Sequence, residues 1–222
     1  MILAFDTSTP WLGIGLVQGE EVLFRVVQYT RTAHSLLLFR HLEFLEAHFS
    51  FRKHLEGILV GLGPGSFTGV KVGAIIAKGL AYALGVPLGG FSTLEVLASL
   101  ARRFGPLGFE VTVPVIFHRR GEIFWSEFSG EKVELSSLCT GSPEDFLSRY
   151  RGRKDVFVVT PWRDLWKLFT EVGLSCLDPS RALPDPLELV VLSRERGFGS
   201  TENVFSLLPL YGSRVFERES AS

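Results

Sequence analysis

The stretch GLGPGSFTGVKVGAIIAKG, residues 61–79, joins a short apolar run to a region rich in small residues. The apolar run GILVG at 57–61 has no charge, as expected of a strand buried on both faces of a sheet. The residues from 70 to about 84 are predicted to form a helix that Gly85 ends. The glycine-rich loop at 63–69 is therefore predicted to turn a buried strand tightly into a helix.

Small residues recur every four positions along this predicted helix. Rows of residues spaced by four are the ridges through which helices interdigitate, and small side chains there let two backbones approach closely. The row can lie flat on the chain's own sheet, or it can form a helix–helix interface with another protein. Both interpretations remain open for Gly69, Gly73, Ala77 and Ala81.

The sequence before this loop predicts three consecutive antiparallel strands and a helix. Runs rich in β-branched and aromatic residues occupy 2–5, 11–17 and 21–28, and turn residues separate them. The helix is predicted over 32–49 from a row of apolar residues on one face. That row is Leu38, Leu42, Leu45 and Phe49.

The second half is predicted to be a smaller lobe. A helix at 93–104 is followed by GPLGF, which marks the boundary between a lobe at 1–104 and one at 105–222. The second lobe opens with a hairpin and continues with a strand and a helix opened by Pro161, and a last helix can pack back on the first lobe. The order of the elements predicts a two-lobed α/β fold. The hairpin strands are 111–117 and 122–128, the later strand is 155–159, and the last helix lies near 186–197.

A loop between a strand and a helix is a place where phosphates bind, because the helix N-terminus presents unpaired N–H groups. The Walker A pattern is excluded, since no Lys and hydroxyl pair directly follows Gly63, Gly65 or Gly69. The same glycines form G-x-G-x-x-x-G, one residue longer than the dinucleotide pattern. The nearest later carboxylate, Glu95, is also too far along the chain to hold a ribose.

A second candidate phosphate site is the turn FDTSTP at 5–10. Asp6 could hold a metal-bound water, or it could cap the turn through its own backbone. Capping is the default interpretation for such a residue. The nucleotide alternative involves Asp6, Thr7 and Ser8.

The sequence offers no metal site and no nucleophile. His34, His41 and His48 are spaced by seven, so neighbours lie about 10 Å apart along a helix and cannot share one metal. No Ser lies in a G-x-S-x-G pattern, and Cys139 and Cys176 form no C-x-x-C pair and are expected to be free thiols. The basic pairs at 102–103 and 119–120 are interpreted as solvated turns, with a small nucleic-acid contact as the alternative.

Composition predicts an ordered cytoplasmic protein. The chain is 46% hydrophobic and 21% charged with a net charge of -1, which excludes both disorder and a global basic field. Asp6 comes too early for a secretory signal, and Lys71 and Lys78 interrupt the most apolar region, so no membrane contact is expected. Asn, Gln and Met are scarce, which is common in proteins from hot environments.

Four segments carry a family resemblance: ILAFDTST at the N-terminus, HSLLL on the first helix, the stretch from GLGPGSFTG to STLEVLA, and the later GEIFWSEF. Together they resemble the TsaB family, also called YeaZ, strongly over residues 1 to about 100 and more thinly afterwards. PLYGSR, at 209–214, looks like the family's closing segment. The family usually has an Asp-Ala-Arg run where this chain has FHRRGE.

The resemblance implies a two-lobed actin-like, Hsp70-like ATPase (ASKHA) fold, in which each lobe is a mixed sheet with helices. It also implies a non-catalytic subunit of the machinery that places threonylcarbamoyl on adenosine 37 of tRNA. Family members look like degenerate relatives of the catalytic partner TsaD, which carries ATP and a metal-holding H-x-x-x-H. Of such a pair only His34 is present here, so no cofactor is expected in the isolated chain, and ATP and metal are expected on a TsaD-like partner.

The resemblance further implies a TsaD-like subunit and a TsaE-like ATPase as partners, a homodimer when the chain is alone, and contact with tRNA only through the complex. The loop makes the turn and the helices bind the partner, so that Gly73→Leu should abolish the complex while the monomer stays folded. The predicted loop residues are Gly63, Gly65, Ser66, Thr68 and Gly69. The predicted interface residues are His34, Leu38, Gly69, Lys71, Gly73, Ala77, Lys78 and Ala81. The predicted vestigial nucleotide site is Asp6, Thr7 and Ser8.

Two other functional classes compete with this interpretation. A stand-alone ATP-binding enzyme, related to sugar or acetate kinases, would use the turn at 5–10 and the loop at 63–69 for ATP. It requires tight nucleotide binding by the isolated chain. A peptidase is disfavoured because the sequence offers neither a nucleophile nor a metal pair.

Overall fold

A computed structural model of the chain describes residues 1–30, 33–118, 121–130, 133–198 and 206–210. The chain divides into two compact units, one formed by Met1–Thr93 with Pro184–Pro209 and the other containing Leu94–Leu183. The predicted boundary after residue 104 is therefore too late. The GPLGF turn marks where a helix ends, whereas a unit boundary depends on which residues share contacts.

The described part of the chain contains eleven strands, six α-helices and a short 3-10 helix at Phe51–Lys53. The strands are β1 Ile2–Asp6, β2 Trp11–Gln18, β3 Glu21–Tyr29, β4 Gly57–Gly61, β5 Leu88–Phe91, β6 Val111–Phe117, β7 Ile123–Trp125, β8 Phe128–Ser129, β9 Cys139–Gly141, β10 Val156–Val159 and β11 Ser175–Cys176. The helices are α1 His34–Phe49, α2 Phe67–Leu84, α3 Thr93–Phe104, α4 Pro143–Tyr150, α5 Arg163–Glu171 and α6 Pro186–Arg196.

The first unit is built on a five-stranded mixed sheet with strand order β3-β2-β1-β4-β5. β1, β2 and β3 are antiparallel neighbours, as predicted, and β4 and β5 run parallel to β1. Every residue of β4 is buried, which confirms its prediction as a central strand. The glycine-rich loop therefore leaves the sheet from its interior.

Helix α6 packs on this first sheet, although it comes more than ninety residues after β5 in the chain. Asp185 caps its N-terminus by accepting from the Leu187 N–H at 3.0 Å. The same carboxylate accepts two hydrogen bonds from the Arg25 guanidinium of β3, at 3.0 and 2.7 Å. A Cβ on Gly13 of β2 would lie 2.8 Å from the Pro184 carbonyl oxygen, so glycine permits the close approach of this helix.

Helix α2 begins at Phe67, three residues earlier than predicted, with Ser66 as its N-cap, and ends at Leu84 before Gly85. By length and composition it could cross a membrane, and it is the one such helix among the described residues. The row of small residues spaced by four is buried against the first sheet, as expected of a helix in a folded domain.

The second unit contains a six-stranded mixed sheet with order β11-β10-β6-β7-β9, and β8 also pairs with β6. The predicted single strand at 122–128 is broken into β7 and β8, and the predicted opening of α5 at Pro161 is wrong because Trp162 is its N-cap. Phe146 of α4 is fully buried, with its ring centroid 4.5 to 5.6 Å from those of Trp125, Tyr150 and Phe169. This aromatic group anchors α4 and α5 in one core.

Candidate functional site

The loop between β4 and α2 is tied to two neighbouring segments by hydrogen bonds. The Ser66 N–H donates to the carbonyl oxygen of Ser8 at 2.7 Å. The carbonyl oxygen of Gly63 accepts from the Thr93 N–H at 2.7 Å and from the Ser92 hydroxyl at 2.9 Å. The loop thus makes the tight strand-to-helix turn that its glycines predict, and it is fixed to the turn after β1 and to the start of α3.

Glycines let the loop and α2 lie directly on the turn after β1. A Cβ on Gly65 would overlap the carbonyl oxygen of Ser8, and one on Gly69 would overlap that of Thr7. A Cβ on Gly73, one helical turn further on, would overlap the Thr7 hydroxyl. The close approach that small residues permit is therefore used within the chain.

This geometry corrects the predicted partner interface. Of its eight residues, only Lys71 is exposed, and His34 and Lys78 are half-buried. The other five are buried in the first unit, so the interpretation in which the small-residue row lies on the chain's own sheet is the right one. Gly73→Leu would disturb the fold as well as any complex. The five buried residues are Leu38, Gly69, Gly73, Ala77 and Ala81.

The turn after β1 is a buried network of polar groups. Oδ1 of Asp6 accepts from the Ser8 N–H at 2.7 Å, and Oδ2 accepts from the Thr93 hydroxyl at 2.8 Å. The Ser8 hydroxyl lies 2.8 Å from that of Thr93 and donates to it, since the Thr93 proton is directed to Asp6. The Thr7 hydroxyl donates to the carbonyl oxygen of Gly69 at 2.7 Å. The network therefore joins β1, α2 and α3.

Burial raises the pKa of the Asp6 carboxyl above its ordinary value, because a low-dielectric environment disfavours the charged form. The hydrogen bonds from Ser8 and Thr93 and the nearby charge of His34 act in the opposite direction and lower this pKa. The net shift is upward. Asp6 is thus a structural carboxyl whose ionisation costs folding free energy.

The predicted nucleotide residues Asp6, Thr7 and Ser8 are all buried, and their side chains are engaged in the network. Next to them lies a small cavity of about 160 Å³. Ligand pockets usually measure about 300 to 1,000 Å³. A nucleotide could reach these three side chains only if the network opened. The cavity is lined by Thr9, Pro10, His34, Ser35, Ser66, Thr68, Gly69 and Val72.

The three histidines that were predicted not to bind a metal each have a different hydrogen-bond partner. The Nε2–H of His34 donates to the carbonyl oxygen of Thr9 at 2.7 Å and fixes the start of α1 to the turn after β1. His41 bonds the side chain of Gln28 at 3.3 Å, and His48 bonds the carbonyl oxygen of Phe44 at 2.9 Å. No group of three potential metal ligands occurs among the residues that the structure describes.

Helices α1 and α2 pack against each other and expose large apolar side chains. Lys71 lies among them, with its Nζ 3.9 Å above the centre of the Phe67 ring. Sequence reasoning missed this surface because it followed the small residues. The signal for it was a second row spaced by four, Phe67, Lys71 and Ile75, which is offset by two residues from the row that begins at Gly69. We call the surface the α1–α2 apolar face and define it as Leu36, Phe39, Phe67, Ile75 and Tyr82.

Residues 28–139 match the family model of TsaD, tRNA N6-adenosine threonylcarbamoyltransferase. Three curated relatives are named tRNA threonylcarbamoyladenosine biosynthesis protein TsaB. The Haemophilus influenzae protein is 32% identical over 87% of this chain and 84% of its own length, and the Escherichia coli protein is 31% identical over 95% and 93%. The Bacillus subtilis protein is 36% identical over 55% of this chain, but that match spans only 52% of the relative's length.

Among solved structures, YeaZ from Pseudomonas aeruginosa superposes with a TM-score of 0.76 at 26% identity, over 95% of this chain and 98% of that one. Ethanolamine utilization protein EutJ from Carboxydothermus hydrogenoformans shares the fold at a TM-score of 0.50 and 11% identity, over 84% and 88%. The predicted α/β fold of the actin-like ATPase type, with a mixed sheet in each unit, is confirmed. From its sequence and its fold together, the chain belongs to the TsaB (YeaZ) family.

Proposed function

We propose that this chain is a non-catalytic subunit of the complex that transfers threonylcarbamoyl to adenosine 37 of tRNA. It acts by binding a TsaD-like catalytic subunit. The names of its TsaB relatives support its place in this pathway. The observation that carries the binding role is the α1–α2 apolar face.

The five side chains of the α1–α2 apolar face are each 52% to 71% exposed. Large apolar groups that lie in water on neighbouring helices are typical of protein interfaces, and aromatic residues often supply most of the binding free energy. The charge of Lys71 within this face adds specificity for the partner. The same face can pair with a second copy, because an isologous dimer needs one self-complementary surface. The homodimer and the complex with the catalytic subunit would then be mutually exclusive.

In this proposal ATP and metal belong to the TsaD-like subunit. The buried Asp6, Thr7 and Ser8 offer no open nucleotide site, which supports this assignment. The complex works in the cytoplasm, where a TsaE-like ATPase docks near the composite interface and the reacting adenosine is presented to the catalytic subunit. The chain's contribution is to hold that subunit in its active form.

The test replaces Ile75 of the apolar face by Asp. A charge buried in the interface should weaken the affinity for the TsaD-like subunit by about 2 kcal/mol or more, which is roughly 30-fold in Kd. Tight complex formation would be measured by calorimetry, and threonylcarbamoyladenosine in tRNA by mass spectrometry. Since Ile75 is exposed in the free chain, the folded monomer should survive.

The matched control is Leu107→Asp, because Leu107 is a fully exposed apolar residue in the second unit. It should leave both the affinity and the modification unchanged. Equal binding by the two variants would contradict the proposed interface. Tight ATP binding and turnover by the isolated wild-type chain, measured in the same calorimeter, would instead favour a stand-alone ATP-binding enzyme.

A further inference from the structure

The end of α4, in the second unit, carries a concentration of positive charge. Four of the six residues from 149 to 154 are Arg or Lys, and they occupy the last turn of α4 and the turn after it. Gly152, with φ of 82°, lets the chain turn sharply there. We call this group the α4 basic cluster and define it as Arg149, Arg151, Arg153 and Lys154.

Two of the four cations have an acidic partner. Arg149 pairs with Glu127 at 2.8 Å, and Arg153 pairs with Asp155 through its Nε at 3.2 Å. Both pairs are partly exposed, so each contributes little to stability and can be exchanged for another anion at low cost. Arg151 and Lys154 are exposed, and neither has an acidic ion-pair partner among the described residues.

Two of the guanidinium groups are held in place by an aromatic ring. The guanidinium carbons of Arg149 and Arg153 lie 5.5 and 5.8 Å from the centre of the Tyr150 ring. Tyr150 is fully buried, and its hydroxyl donates to Glu127 at 2.7 Å. Fixing these long side chains before binding reduces the entropy lost when they contact an anion.

Helix stability does not account for the whole cluster. Cations near the C-terminus of a helix offset the partial negative charge there, and the effect fades beyond the last turn. Arg149 and Arg151 are close enough to serve that purpose, but Arg153 and Lys154 lie past the end of α4. Glu144 lines the same shallow groove as Arg151, and it is the negative charge on the side of the cluster that faces this groove.

We propose that the α4 basic cluster is a docking surface for the phosphate backbone of tRNA. This inference rests on the proposed function, which makes tRNA the polyanion that the complex must hold. An open surface with several separated cations suits a polyanion better than a single small anion, and guanidinium groups match phosphate geometry. The chain then contacts tRNA directly, in addition to binding the catalytic subunit.

The experiment measures tRNA affinity as a function of KCl concentration by fluorescence anisotropy, for the chain alone and for its complex with the TsaD-like subunit. The variant is Arg151→Gln with Lys154→Gln, which removes the two cations without an acidic partner and leaves the contacts of Tyr150 intact. We expect the affinity at 0.1 M KCl to fall about tenfold, and the slope of log K against log salt to decrease by about 1.5, since each lost phosphate contact lowers it by about 0.7 to 0.9.

The matched control is Arg163→Gln with Lys167→Gln, which removes two exposed cations from α5 in the same unit. It should change the affinity by less than about threefold. An unchanged affinity and slope in the α4 variant would overturn the inference. Loss of TsaD-like subunit binding with RNA affinity preserved would also overturn it, and would assign the cluster to an acidic protein surface.

The failure of this inference is distinguishable from failure of the proposed function. Co-elution of the wild-type chain with the TsaD-like subunit tests the proposed function without RNA. If co-elution is intact while the α4 variant binds tRNA like the wild type, only the RNA surface is wrong. If the wild-type chain does not co-elute, the proposed function is wrong and the docking surface loses its basis.

Discussion

The buried face of α2 carries small residues and its exposed face carries large apolar residues, which is the reverse of an ordinary amphipathic helix. The face toward the sheet carries Gly69, Gly73, Ala77 and Ala81, which have almost no side-chain bulk, whereas Phe67, Ile75 and Tyr82 face the solvent. Usually the larger apolar residues are buried, because their transfer from water yields more free energy. Here the inner face is set by how closely the backbone must approach the turn after β1. The outer face leaves its large apolar side chains exposed, where they can contact another subunit.

The largest expected effect comes from Gly69→Ala, which attacks the inner face. The new Cβ would overlap the Thr7 carbonyl oxygen, a backbone atom that cannot move without disturbing β1. We expect the free energy of unfolding to fall by about 3 kcal/mol, at the upper end for overpacking a core. Urea denaturation followed by circular dichroism measures it. A loss below 1 kcal/mol would show that α2 can shift away from the turn, and the contrast between its two faces would be weaker than the structure indicates.

The second effect concerns the carboxyl beneath the inner face. Because burial raises the pKa of Asp6, the native state holds its proton at pH values where the unfolded state has lost it. The unfolding free energy of the wild type should therefore decrease as pH rises above about 4, through the raised pKa, and Asp6→Asn should lack this contribution. The difference between the two stability curves, measured by denaturation from pH 3 to 8, isolates Asp6 from the other acids. Parallel curves would mean that the network stabilises the charged form fully.

The smallest effect comes from Gly79→Ala on the same helix. Gly79 is exposed, and a Cβ there would meet no atom within 4 Å. Alanine should stabilise the chain by about 0.5 to 1 kcal/mol, since it reduces the backbone entropy lost on folding. The same denaturation assay compares it with Gly69→Ala. If both substitutions destabilise the chain, both glycines are needed for backbone flexibility, and the difference between the two faces of α2 does not explain why glycine occurs at these positions.

Local patterns were sufficient for most elements of the first unit, although the short strand β5, LGGF, was not predicted. The β-branched and aromatic content of 11–17 and 21–28 predicted β2 and β3, the charge-free 57–61 predicted the buried β4, and Gly85 predicted the end of α2. Boundaries were less secure where a cap decides them, as at Ser66 and Trp162. The break between β7 and β8 was missed because apolar residues lie on both sides of it, at 123–125 and at Phe128, and composition does not show where pairing stops.

The candidate site was predicted only in part. The loop glycines and the polar turn after β1 were identified from their spacing, but five of the eight predicted interface residues are buried. A row of small residues indicates that another backbone approaches the helix closely, but it does not show which one. Packing on a sheet and packing on a second helix both require such a row. The α4 basic cluster was overlooked because the basic pairs elsewhere were weighed instead. Arg119 and Arg120, one of those pairs, lie outside the described residues.

The sequence by itself determined the family and most strands and helices of the first unit, whereas β5, β9, α4 and β11 were not predicted. It also marked the loop glycines and the row of small residues by their spacing, although the contacts that require glycine there, with Thr7 and Ser8, form only in the folded chain. Tertiary structure alone decided which face of α2 is buried. It also decided that α6 returns to the first sheet and that Asp6 has a raised pKa. Each of these depends on atoms brought together from distant positions, such as Thr7 with Gly73 and Asp6 with Thr93. Packing and desolvation act on such contacts, and no local pattern encodes them.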